Sequence, residues 1–153
     1  MFSIFKQKPA EFFSPEEKEK ILAAIKTAEQ KTSGEVRVFV ESRCRFVDAM
    51  DRAVEIFYGL KMQQTDLRNA VLVYVALKDK QLALFADEGI YNRAGKDFWT
   101  AEVKLMLSQF NKENYAEGIA QVVVEVGEVL CTHFPYNAAT DKNELPDDIV
   151  FGK

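Results

Sequence analysis

Residues 65–90 read TDLRNAVLVYVALKDKQLALFADEGI, and the order of the chain can be worked outward from them. Two apolar runs, 70–77 and 82–86, flank a polar break, Lys78-Asp79-Lys80. That is the pattern of a strand, a tight connection and a second strand pairing back on the first. The first run carries no charged or amide side chain, so burial on both faces is expected. A hairpin centred near Asp79 returns residue 87 to about the level of residue 71. It gathers Thr65, Asp66 and Asn69 with Asp87 and Glu88 at one end of the strand pair.

Upstream, residues 35–41 (EVRVFVE) alternate, with Val36, Val38 and Val40 on one face, which predicts another strand. Between the two strands, residues 48–62 place Ala49, Met50, Ala53, Val54, Phe57 and Leu60 at helical spacing. Asp48 and Asp51 suit the first turn of that helix. Strand, helix, strand in this order predicts a right-handed crossover between parallel strands. The hairpin adds an antiparallel one, so the sheet is mixed. Before it, Ser14-Pro15-Glu16-Glu17 forms a helix start with a capping box. Ile21, Leu22, Ile25 and Ala28 form the apolar face, and Gly34 is a stop.

Downstream, residues 87–95 (DEGIYNRAG) read as a turn-rich loop, with Asp97 placed to cap the next helix. Trp99, Val103, Met106, Leu107 and Phe110 form its core face, and residues 111–114 break it. A last helix runs from Tyr115 to about Phe134. Its valines lower helix propensity, so a strand over 121–126 competes with that reading. Residues 1–13 are an N-terminal extension, 14–135 the α/β domain and 136–153 a polar, acidic tail. Residues 143–149 of the tail have the composition to dock along the body. Phe12 and Phe13, with Phe2 and Phe5, are expected to cover the edge of the core rather than a membrane or partner.

Composition narrows the function classes. At 153 residues, 48% hydrophobic and 29% charged, the chain is of one-domain length with a substantial core. A net charge of −4 disfavours nucleic acid as a default partner. Arg43, Arg45 and Arg52 do cluster, but Asp48 and Asp51 interrupt them, so a solvated surface is the reading there. Cys44 and Cys131 match no metal spacing and are expected to be free thiols. The N-terminal stretch lacks a signal-peptide pattern and no segment reaches the ~20 apolar residues of a membrane span. The expectation is a cytoplasmic protein that does not insert into a membrane.

There is no Gly-rich phosphate loop, no G-x-S-x-G elbow, no C-x5-R loop and a single histidine, His133. What remains is oxygen chemistry. Asp66, Asn69, Asp87, Glu88 and Asp97 are candidate ligands of a hard cation, which takes oxygens from carboxylates, amides and carbonyls. Ca²⁺ fits such a set best, and Mg²⁺ needs fewer protein ligands and more water. The same residue types are also ordinary loop and cap material.

An ordered set of motifs resembles the TPM-domain family: Gly34-Glu35-Val36-Arg37-Val38, Asp51-Arg52-Ala53, Arg68-Asn69-Ala70 with the strand that follows, Ala86-Asp87-Glu88-Gly89-Ile90, Gly95-Lys96-Asp97-Phe98-Trp99, Glu117-Gly118-Ile119 and His133-Phe134-Pro135. The resemblance implies a three-layer α/β/α sandwich with a small central mixed β-sheet. It implies calcium binding in loops at one end of the sheet for some members, and a phosphatase activity that is attributed to some and is not general. It also implies a protein partner, such as a membrane-anchored TPM or LemA-type protein. Ala70 and Ala86 stand where the family has glycine. The expected function is a non-enzymatic TPM-type module that binds a hard cation and acts through that partner. A metal-assisted phosphatase using the same carboxylates is the alternative.

Overall fold

The computed structural model describes residues 8–45, 48–137 and 148–153. A short helix, α1 (Pro9–Phe12), leads into α2 (Pro15–Gln30). The capping box forms as read: Ser14 Oγ accepts from the Glu17 N–H at 3.1 Å, and the Ser14 N–H donates to Glu17 at 2.9 Å. The chain continues through β1 (Glu35–Glu41), α3 (Ala49–Gly59), β2 (Ala70–Ala76) and β3 (Gln81–Ala86). Then come α4 (Glu88–Ala94), α5 (Lys96–Asn111), α6 (Tyr115–His133) and β4 (Ile149–Phe151).

The four strands form one mixed sheet in the order β3-β2-β1-β4. β1 is parallel to both β2 and β4, and β2 is antiparallel to β3. The pleat divides the apolar residues between two layers. Val36, Val38, Val40, Val71, Val73 and Val75 point into a core shared with α2, α5 and α6. Phe39, Leu72, Tyr74 and Ala76 point the other way, onto Ala53, Ile56 and Phe57 of α3. The architecture is therefore the α/β/α sandwich, with β2 buried along its whole length.

Four details differ from the sequence reading. Hairpin pairing runs Ala76↔Gln81 to Val71↔Ala86, one residue off a turn centred on Asp79. The four-residue connection 77–80 closes with Lys80 at φ 52°, so residue 87 lies level with residue 70. The 87–95 stretch is not a loop but α4, capped by Asp87. On α5, Leu107 is 39% exposed, while Glu102 takes a buried position. The tail supplies a strand: Ile149 is buried, and the Gly152 N–H donates to the Val40 carbonyl at 2.8 Å. Phe2, Phe5 and residues 143–147 lie outside the described residues.

The remaining expectations can be placed directly. Phe13 is buried, and Phe12 packs edge-on against Tyr115, so this part of the extension covers the core. Residues 121–126 are helical. Cys44 and Cys131 are not joined in a disulfide. Among the described residues no helix is long and apolar enough to cross a membrane.

Candidate functional site

The hairpin end is built by three segments that meet: residues 65–69 before β2, Asp87 after β3, and the first turn of α4. The hydrogen bond from the Asp87 N–H to the Ala70 carbonyl (2.9 Å) continues the ladder past the last strand pair. The Gly89 N–H then donates to the Arg68 carbonyl at 2.8 Å. Gly89 lies so close to this segment that a Cβ there would fall onto the carbonyl oxygens of Leu67 and Arg68. Glycine is needed at this position for close backbone approach, not for an unusual φ.

Asp87 is 3% exposed, and a carboxylate so buried needs partners. It has three. Arg68 grips it bidentately, Nε to Oδ2 at 2.7 Å and Nη2 to Oδ1 at 2.9 Å. The Glu88 N–H donates to Oδ1 at 2.8 Å, which caps α4. Arg68 also reaches Glu88 through Nη1 at 2.9 Å. The hydrogen bond that the guanidinium donates to Asp87 is the main influence holding it above its ordinary pKa. Arg68 sits at φ 52°, an uncommon conformation for a side chain of this size.

The other candidates are arranged differently. Asn69 is 1% exposed and donates through Nδ2 to Ser33 Oγ at 3.4 Å. Its Oδ1, like Thr65 Oγ1, has no hydrogen-bond partner among the described residues. Asp66 and Asp97 are exposed, and Asp97 does not cap α5 as its position predicts but sits in the first turn behind the N-cap Gly95, where its charge complements the helix dipole. Of the five predicted residues, Asp87 and Glu88 are brought together on one partner. Nothing in the spacing of that partner, Arg68, marks it as a candidate in the sequence. Only the hairpin register places it opposite residues 88 and 89.

In this arrangement both carboxylate oxygens of Asp87 are turned to Arg68. A cation site needs oxygens converging on one point. Among the described residues no three His, Cys, Asp or Glu side chains come together as a metal-holding group. Gln63 Oε1, Thr65 Oγ1 and Asn69 Oδ1 are buried oxygens of this segment with no hydrogen-bond partner among the described residues.

Comparison with known proteins follows the same lines. Residues 7–129 match the model of the TPM domain. The BA42 protein of the psychrophilic bacterium Bizionia argentinensis is 38% identical, with a TM-score of 0.84 over 92% of this chain and 96% of that one. The N-terminal domain of a P. gingivalis protein superposes with a TM-score of 0.67 at 17% identity, over 84% of each chain. The N-terminal domain of the cg2496 protein of Corynebacterium glutamicum gives 0.59 at 17% identity, over 83% of this chain and 82% of that one. These last two are similar in fold alone. Among curated proteins none matches.

Proposed function

This chain belongs to the TPM-domain family, and from that premise we propose that it is a non-enzymatic TPM-type module acting through a protein partner, with the Asp87 end of the hairpin as its working surface. The observation that supports this reading is the state of Asp87. A buried carboxylate whose main counter-charge is a side chain 38% exposed is held by a partner that solvent, another protein or an ion can reach. Arg68 cannot leave without replacement, because an unpaired buried carboxylate is strongly disfavoured. A cationic group on a partner, or a hard cation, is the natural replacement. Ca²⁺ is the first choice and Mg²⁺ the second, since Ca²⁺ tolerates irregular oxygen sets. The partner implied by the family is a membrane-anchored TPM or LemA-type protein.

The test is thermal unfolding with and without millimolar Ca²⁺ on the wild type, Asp87→Asn and Arg68→Gln. A ligand that binds only the folded state raises Tm by linkage. The reading expects a rise in the wild type, a larger rise in Arg68→Gln, where the competing guanidinium is gone, and none in Asp87→Asn. No rise in either the wild type or Arg68→Gln removes the cation from the proposal. Metal-assisted phosphatase chemistry at the same carboxylates makes a separate prediction. It requires phosphoester hydrolysis that is lost in Asp87→Asn and Asp97→Asn protein, and hydrolysis that survives both changes excludes it.

A further inference from the structure

The opposite end of the sheet carries a second feature, independent of the hairpin end. β1 and β4 are parallel neighbours, but β1 leads into α3 on one face while β4 is reached through helices packed on the other. Their C-terminal ends therefore border a topological switch point, where open α/β sheets form ligand crevices. A cavity of about 780 Å³ lies there, within the usual range for small-molecule sites.

Its lining is cationic in a protein of net charge −4. Arg43, Arg45, Arg52 and Lys78 line it, together with Lys153, against the carboxylates Glu41 and Glu55. Both carboxylates are committed to Arg52. Glu41 accepts from Arg52 Nε and Nη2 at 2.8 Å each, and Glu55 accepts from Nη1. Glu41 is itself 6% exposed and accepts from the hydroxyl of fully buried Tyr74. Burial, then the Glu41 hydrogen bond, pushes the Tyr74 hydroxyl well above its ordinary pKa, so it remains a donor. One wall is thus a guanidinium locked in place by a buried network, with three of its five N–H donors used.

Around that wall, Arg43 pairs with Asp79 at 3.1 Å but its side chain stays 58% exposed. Arg45 is exposed. Asp48 and Asp51, which interrupt the basic cluster in sequence, do not line the cavity. Asp48 is turned to the Met50 N–H as the cap of α3. Folding therefore separates the basic side chains from Asp48 and Asp51, and adds Lys78 from just beyond the C-terminal end of β2.

We propose that this cavity is a binding site for a compact, multiply charged phosphate-bearing small molecule, such as a diphosphate, triphosphate or sugar phosphate. Guanidinium groups present several N–H donors to a tetrahedral oxyanion at once. None of the described lining residues is aromatic, so there is no platform for stacking bases, and the site suits a small polyanion rather than a nucleic acid.

The experiment is a pyrophosphate titration of the full chain in metal-free buffer, followed by amide chemical shifts, with NaCl at matched ionic strength as the control. Saturable shifts confined to Ser42, Arg45, Lys78 and Gly152 are expected. Arg45→Gln/Lys78→Gln, which leaves the buried Glu41–Arg52–Tyr74 network intact, should weaken Kd at least about tenfold. Asp87→Asn should bind as the wild type does, which separates this site from the hairpin end. Shifts no larger than those in NaCl, shifts spread over all lysines and arginines, or an unchanged Kd in the double variant would each overturn the proposal.

Discussion

Glu102 shows how strongly one position can respond to its neighbours. It is 5% exposed, and its Oε2 has no hydrogen-bond partner among the described residues. Burial first, then the charges of Glu125 and Glu128 across the α5–α6 contact, pushes its carboxyl up to about 8 from 4.5. The folded state therefore holds a proton that the unfolded chain releases above pH 4.5. Stability from this group is intact below pH 4.5 and falls as pH rises towards 8, where the loss levels off. Glu102→Gln removes the titration. It should flatten Tm between pH 5 and 8 and stabilise the protein at pH 8 by roughly 1–3 kcal/mol. A parallel loss of Tm with pH in the variant would assign the slope to other groups.

Asp87 and Arg68 make a second prediction at this scale. Removing Arg68 alone strands a buried carboxylate, whereas removing both charges does not. In urea titrations Arg68→Gln should therefore cost more than Arg68→Gln/Asp87→Asn, so that the two changes are not additive. Gly89→Ala should cost at least about 2 kcal/mol, because its Cβ meets backbone rather than a movable side chain. The sequence made Asp87 and Gly89 visible as a turn signal. It did not show that Asp87 caps a helix, because a capped seven-residue helix and a turn use the same Asp-Glu-Gly chemistry.

Among the elements, α2 is the most legible. Its cap, first-turn proline and apolar face are all local, and Ser14→Ala should lower stability by about 1 kcal/mol in thermal unfolding. The last strand is the least legible. Ile149–Phe151 is three residues long and lies among polar residues, so it has no period to read. It forms because the open edge of β1 offers unpaired backbone groups and Ile149 has a core position to fill. Ile149→Ala should cost about 2–3 kcal/mol, and amide exchange should then quicken at Val38 and Val40, its neighbours on β1. The helix α6 shows the same tertiary control. Its valines are poor helix formers, yet Val122, Val123 and Val126 are fully buried. Gly127 lets α6 approach α2 so closely that a Cβ would meet Ala28.

For the molecule as a whole, the two ends of the sheet differ in charge. The hairpin end places Asp87 and Glu88 on a single arginine. The opposite end surrounds a cavity with arginines and lysines. Neither arrangement appears in the net charge, since a sum over the chain has no positions in it.

The sequence by itself determined the strand–helix–strand order, the buried hairpin, the mixed sheet and the family. Those depend on hydrophobic periodicity and turn chemistry, which act over a few residues and leave a local record. Tertiary structure alone decided the partner of Asp87, the one-residue hairpin register, the fourth strand and the separation of basic from acidic side chains. Each depends on which distant groups meet when the layers close, and on the cost of leaving a buried charge or an open strand edge unsatisfied. That cost is set only in the folded chain.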